Sequence, residues 1–282
     1  MKLLEQMTIN CKGKLIDLSV PKVMGILNVT PDSFFDGGMY SERDAIVARA
    51  EEILGEGADF IDIGGYSSRP GASDVPESEE MSRVVDAVRT VVDAFPDAII
   101  SVDTFRSSVA KATVDAGAAI INDISAGSLD PQMMPTIAEL RVPYIMMHMR
   151  GTPSTMTQFT EYDHVVTDMM KYFSGKIREA RSYGISDLIL DPGFGFSKTL
   201  EQNYEVMNHL DIFRQCGLPI LVGVSRKSML TKLLNVNPES ALNGTTALHM
   251  ASLMKGASIL RVHDVKEAVE CIRIWKALER NH

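Results

Sequence analysis

The sequence predicts an α/β chain folded as a (β/α)8 TIM barrel with a short N-terminal β-hairpin. Three observations predict it. Eight short apolar runs recur along the chain: Val23–Leu27, Phe60–Ile63, Ile99–Val102, Ala119–Ile121, Tyr144–Met147, Leu188–Leu190, Ile220–Val222 and Ile259–Leu260. Several, such as Ala98-Ile99-Ile100-Ser101-Val102, are near-continuously apolar, as buried parallel strands are. Between runs the pattern usually turns helical. The spacing is roughly 34 residues, and a chain of 282 residues suits a barrel that typically needs about 250.

The elements follow in chain order. Residues 7–19 alternate weakly around Lys12-Gly13-Lys14 and read as a hairpin capping the barrel bottom. Ser41 with Asp44, and Asp264 with Glu267, resemble helix N-caps with an acidic third position. Met81, Val84, Val85, Val88, Val91 and Val92 fall on one helical face. In the last helix Val265, Val269 and Ile272 are expected to face inward. The segment Ala241–Ala257, ALNGTTALHMASLMKGA, has small and apolar residues on several sides. An outer barrel helix should have a solvated face, so burial on two sides, and hence a homodimer contact, is expected. The alternative is a helix packed tightly under a loop. No linker or low-complexity tract interrupts residues 1–282, which predicts one domain.

Composition narrows the function. An apolar share of 45% and a charged share of 23% are ordinary for a soluble globular protein. A net charge of −9 disfavours nucleic acid and anionic membrane as partners, so an anionic ligand would need a local cationic cluster. Cys11, Cys216 and Cys271 form no CxxC and read as reduced thiols of a cytoplasmic protein. The start, MKLLEQMTINCKGK, lacks the apolar core of a secretion signal, and no stretch approaches the ~18 apolar residues of a membrane span.

In this fold the C-terminal strand ends meet on one face, where the chemistry sits. The residues after the eight runs are Asn28, Gly64, Asp103, Asn122, His148, Asp191, Gly223 and Arg261. A lone strand-end Asp is commonly a helix cap. Asp103, Asn122-Asp123 and Asp191 around one rim suit the N–H and C=O edge of a flat heterocycle better. After the sixth run, Gly193 and Gly195 keep the loop thin, and Phe194 or Phe196 lines a pocket or joins the core. The loops after the last two runs carry Arg226, Lys227, Arg261 and His263, in the usual phosphate region of such barrels. The loop Gly64-Gly65-Tyr66-Ser67-Ser68-Arg69-Pro70-Gly71 adds hydroxyls and an arginine that can fork onto an anion. His148 and His263 match no zinc-ligand spacing.

The segments MGILNVTPDSFFDGG, GGYSSRPG, SVDT, IND, MHM, LDPGFGF, VGVSRKS and RVHD, in that order from about Val23 to Val269, resemble the dihydropteroate synthase family. The resemblance implies a transferase of folate biosynthesis. It would join 6-hydroxymethyl-7,8-dihydropterin diphosphate to 4-aminobenzoate, releasing diphosphate and forming 7,8-dihydropteroate. By the same resemblance the pterin edge would meet Asp103, Asn122, Asp191 and Lys227, with Met147 and Arg261 packing near the ring. Asn28 would help hold Mg2+ and the diphosphate, whose oxygens would meet Ser68, Arg69, Arg261 and His263. Phe34, Pro70, Lys227 and Ser228 would surround the aminobenzoate, where sulfonamides would also be expected. Asp103, Asn28, Lys227, Arg261 and His263 form the expected catalytic set. The family often reads GGESTRPG, so Tyr66 stands in place of a Glu and Ser68 in place of a Thr. Phe35 follows Phe34 where a small residue is common, so either aromatic can face aminobenzoate.

The residue types fit a dissociative route, in which diphosphate departs to leave a cation delocalised into the pterin. Cationic groups would stabilise the leaving charge and Asp103 the developing cation. Two other readings are a pterin-binding barrel that needs no diphosphate grip and a metal-dependent aldolase or hydrolase barrel. The Asn28 loop, Arg69 and the Arg261/His263 pair argue against the first, and the poor support for His148 as a ligand against the second.

Overall fold

Lys12 and Gly13 both have positive φ, 53° and 87°, the geometry of a two-residue hairpin turn matched to strand twist. They join β1 (Thr8–Cys11) to β2 (Lys14–Asp17) in an antiparallel pair. The computed structural model describes residues 7–30, 42–66 and 75–279. Ser41, Phe34, Phe35, Ser68, Arg69 and Pro70 lie outside the described residues.

The eight apolar runs become eight parallel strands: β3 (Lys22–Asn28), β4 (Phe60–Gly64), β5 (Ile100–Asp103), β6 (Ile120–Asp123), β7 (Tyr144–Met147), β8 (Leu188–Asp191), β9 (Leu221–Val222) and β10 (Ile259–Val262). Their hydrogen-bonded order is β8-β7-β6-β5-β4-β3-β10-β9. A parallel bridge between Leu190 and Ile220 closes the sheet into a barrel. The outer helices are α1 (Glu42–Gly55), α2 (Glu77–Ala94), α3 (Ser107–Ala116), α4 (Met133–Leu140), α5 (Val165–Ser182), α6 (Leu200–Asn208), α7 (Ser228–Leu234), α8 (Leu242–Met254) and α9 (Val265–Glu279).

Alternate residues of a strand face opposite ways, and this sorts the core in two. Val23, Ile61, Ile63, Val102, Ile121, Leu190 and Leu260 pack outward with Val84, Val88 and Val91 of α2 and with Val265 and Ile272 of α9. Met24, Phe60, Ile120, Ile145, Ile189, Leu221 and Ile259 fill the barrel bottom, joined by Ile9, Cys11 and Leu18 of the hairpin region. The hairpin therefore plugs the barrel floor, and Asn10 N–H donates to Asp187 Oδ2 at 3.0 Å to hold it there. With the floor sealed, the polar groups of the inward-facing parity are left for the opposite mouth.

α8 packs one side inward, burying Thr245, His249, Ser252 and Leu253. A Cβ on Gly244 would fall 2.7 Å from Leu234 of α7, so glycine sets the close approach of these helices. The outer side remains apolar: Met254 is 59% exposed, and Leu233, Leu234, Ile274 and Leu278 of the flanking helices are exposed too.

Candidate active site

The same alternation builds the site. Asn28, Gly64, Asp103 and Asn122 are successive register partners on four neighbouring strands, and Met147 pairs with Asp191 on the opposite wall. Each lies two residues, or a multiple of two, beyond an inward apolar residue, which for Asp103 is Ile99 just ahead of β5, so all face the barrel mouth. A Cβ at Gly64 would lie 3.6 Å from both Asn28 Oδ1 and Asp103 Cβ, so glycine keeps the space between these groups open. Gly65 serves packing instead, since its Cβ would fall 2.4 Å from Val84 of α2.

At the centre stands Arg261. Its Nε donates to Asp62 Oδ2 at 2.6 Å and its Nη2 to Asp103 Oδ2 at 2.9 Å. Asp62 is fully buried, and its Oδ2 also accepts from Asn122 Nδ2 at 3.1 Å. This bond fixes the Asn122 amide so that its carbonyl remains as an acceptor. Burial opposes the Arg261 charge, but Asp62 and Asp103 outweigh it and hold its pKa above the usual value. Burial lifts Asp103 to about 7, against the pull of Arg261 and with a push from Asp62, Glu80 and Asp123. Burial also raises Asp191, whose Oδ1 accepts from Gly193 N–H at 2.7 Å.

Lys227 enters from the N-terminal end of α7. Its Nζ donates to Phe194 O at 2.5 Å and lies 4.6 Å from the centre of the Phe196 ring. Burial brings its pKa down to about 8, although Asp191 opposes this. Phe194 is core, and Phe196 packs with the cluster of Met147, Ile124, Met149 and Met156 along the pocket wall. Ser228 is exposed at the first position of α7, beside Lys227. Ser225 Oγ accepts from the His263 backbone N–H at 3.2 Å and lies 3.1 Å from His263 Nδ1. A hydroxyl hydrogen turned to Nδ1 places the ring proton on Nε2, where it can donate.

Some strand-end residues turn away from the mouth. Arg226, φ 57°, forks onto Asp264, with Nε donating to Oδ2 at 3.1 Å, so it does not join the rim's cations. Asp264 precedes α9 as expected, yet its carboxylate serves this pair. Asp123 faces outward, taking Tyr144 Oη at 2.6 Å and the N–H groups of Ser125 and Gly127 at 2.7 Å, and shapes its own loop. His148, one residue past inward Met147, sits edge-on to Tyr172 at 4.8 Å. Burial, with Lys198 and Arg150 nearby, pushes its pKa down to about 2. Among the described residues no three His, Cys, Asp or Glu side chains gather as a metal-ligand set.

Tyr66 packs edge-on against Phe105 at 5.1 Å, and the Arg106 guanidinium lies over both rings. Buried Glu80 meets the same guanidinium at 2.5 Å. Tyr66 thus anchors the loop base through aromatic and cation–π contacts. Two buried residues of the site, Asp62 and Lys198, are absent from the sequence-derived set.

A model of the pterin binding enzyme family matches residues 24–263. A dihydropteroate synthase of Escherichia coli K12 is 44% identical over 273 residues, 96% of each chain. The chain belongs to the dihydropteroate synthases of the pterin-binding enzyme family. Among solved structures of this family, the Yersinia pestis dihydropteroate synthase with a sulfonamide drug superposes with a TM-score of 0.91 at 44% identity, covering 97% of this chain and all of that one. The Xanthomonas albilineans dihydropteroate synthase with 4-aminobenzoic acid gives a TM-score of 0.91 at 39% identity, covering 97% and 98%.

Proposed function

We propose that the chain condenses 6-hydroxymethyl-7,8-dihydropterin diphosphate with 4-aminobenzoate to give 7,8-dihydropteroate and diphosphate, a transferase step of folate biosynthesis. The observation that carries this is the inward row of Asn28, Asp103 and Asn122 facing Met147, Asp191 and Lys227 across one barrel mouth. Asp103, the Asn122 carbonyl and Asp191 accept from pterin N–H groups, and the Lys227 ammonium donates to the ring carbonyl. Met147 packs on one side of the ring and the planar Arg261 guanidinium stacks on it. Asn28, Ser68, Arg69, Arg261 and His263 bind diphosphate oxygens. Phe34, Pro70, Lys227 and Ser228 surround the aminobenzoate, the place that a sulfonamide would also take.

Mg2+ suits this mouth as an ion that arrives with the diphosphate. Asn28 offers a hard side-chain oxygen at the rim beside Gly64, without a carboxylate cluster among the described residues that would hold the ion alone. When bound, the ion neutralises part of the leaving diphosphate's charge.

The reaction breaks the bond between the pterin methylene carbon and the diphosphate oxygen, and the bonding pair leaves with diphosphate. Arg69, Arg261 and His263 stabilise that charge, while Asp103 stabilises the cation spread into the ring. The aromatic amine then attacks the methylene carbon and loses one proton. It is a nucleophile at neutral pH, so no strong base is required. The deciding experiment is a coupled assay for diphosphate release that requires both substrates. No release with both present, or release without formation of dihydropteroate, overturns the reading.

The charge states give a second test. Asp103, near 7, accepts through both oxygens only when ionised, and Lys227, near 8, donates most strongly when protonated. Pterin affinity is therefore expected to rise as pH climbs through 7 and to fall above 8. Lys227→Arg is expected to move only the alkaline limb upward. Calorimetric titration at about pH 6, 7.5 and 9 reads this directly, and a flat profile rules it out.

The apolar outer surface of α7, α8 and α9 supports a homodimer. Sedimentation at micromolar concentration is expected to give a dimer, and Met254→Arg to shift it toward monomer. Among the described residues no helix is long and apolar enough to cross a membrane.

A further inference from the structure

Lys198 is a buried lysine on the loop between β8 and α6, and among the described residues no carboxylate bonds to it. Its Nζ donates to Gly193 O and Phe196 O, each at 3.0 Å, and lies 3.2 Å from His148 Nδ1. A buried charge is costly unless its hydrogen bonds are met, and an apolar side chain of the same length would avoid that cost. The ammonium is therefore retained for what it holds.

What it holds is a loop with an unusual backbone. Gly193, Gly195 and Ser197 have φ of 68°, 81° and 49°, three left-handed residues within five positions. Ser197 pays the steric cost of that region without being glycine. The backbone also runs so close to β7 that a Cβ on Gly193 would sit 2.3 Å from His148 O. Tight turns of this kind persist only where their surroundings fix them. Here one side chain ties two loop carbonyls to the His148 ring.

The same loop carries pterin-facing groups on its other side. Asp191 Oδ1 is bonded to Gly193 N–H, Phe194 O receives Lys227, and the Phe196 ring lies under the Lys227 ammonium. Holding Gly193 and Phe196 by their carbonyls thus sets where Asp191 and the Phe196–Lys227 pair stand. Asn203 fastens Gly195 N–H at 2.7 Å through Oδ1 and completes the scaffold. We propose that Lys198 is a positioning residue for the pterin half of the reaction, clamping the Gly193 and Phe196 carbonyls against His148 so that Asp191 and Lys227 meet the ring. This rests on reading the barrel mouth as the pterin site.

Lys198→Met removes the donors and keeps the length. Loss of hydrogen bonds from a charged donor is expected to raise KM for the pterin diphosphate about tenfold or more, with a smaller rise for aminobenzoate, which shares Lys227 but not Asp191. Direct titration with a pterin lacking the diphosphate should show the same loss. If the variant does not fold, Lys198→Gln retains an uncharged amide donor and is expected to show a smaller loss, again larger for the pterin. Unchanged pterin affinity, or equal losses for both substrates, overturns the proposal. A wild-type protein that binds no pterin would instead overturn the functional reading.

Discussion

Asp62→Ala is expected to lower folding stability by about 3–5 kcal/mol, the usual loss when one partner of a buried ion pair is removed. Pterin affinity should fall with it by about two orders of magnitude, as two ligand-facing groups lose their orientation together. Asp62 is fully buried in β4, and its Oδ2 takes hydrogen bonds from both Arg261 Nε and Asn122 Nδ2. Without it, Arg261 retains Asp103 alone, the carboxylate proposed to meet the pterin. The Asn122 amide is then free to turn its donors toward the pocket, where the proposed pterin contact needs an acceptor. Asp62→Asn should be milder in stability, since it keeps one acceptor, yet it also loses the charge opposite Arg261. Urea denaturation and calorimetry with a pterin lacking the diphosphate check both effects. A stability loss below about 1 kcal/mol would reduce the pair to the worth of a surface ion pair and contradict this network.

The sequence shows the barrel clearly because each strand is a short apolar run ending in a polar or glycine residue. It shows the rim list less clearly, because a list lacks parity. Asn122 and Asp123 are neighbours, yet one faces the mouth and the other its own loop. Met147 and His148 part in the same way, and so do Lys227 and Arg226. Counting in twos from Ile145 places Met147 inward and His148 outward, so that signal was available. Asp62 is hidden differently, inside a strand that reads as one apolar run. A carboxylate at a buried position must be paired, and Arg261 shares its inward parity. The pairing across 199 residues of chain becomes visible only when β10 lies beside β3 and β3 beside β4. Lys198 gave no signal, because a lysine beside a glycine-rich loop ordinarily lies in solvent.

Asp103→Asn should separate activity from stability. Asp103 is the second carboxylate on Arg261, and with Asp62 retained the guanidinium keeps its place. An asparagine carbonyl still accepts from Arg261, so the ground-state geometry persists. On the proposed dissociative route, what disappears is the negative charge beside the cation that develops as diphosphate leaves. Removing one preorganised electrostatic stabiliser costs about 10²–10³ in kcat. Because the same carboxylate also accepts from the pterin in the ground state, KM should rise as well, and kcat/KM should fall further than kcat. Stability should move the other way. The folded pKa of Asp103 is raised to about 7 from an ordinary 3.8, chiefly by burial. The folded chain thus holds a proton that the unfolded chain has released between those values, and this group's contribution is lost as pH rises through 7. At about pH 8 the wild type carries a buried carboxylate that the variant lacks, so Asp103→Asn should be at least as stable there. At about pH 4 that gap should close. Turnover and urea midpoints at the two pH values decide the matter. A variant that loses activity and stability in proportion would make Asp103 a structural partner of Arg261, and the stabiliser of the pterin cation would have to be sought in Asp191.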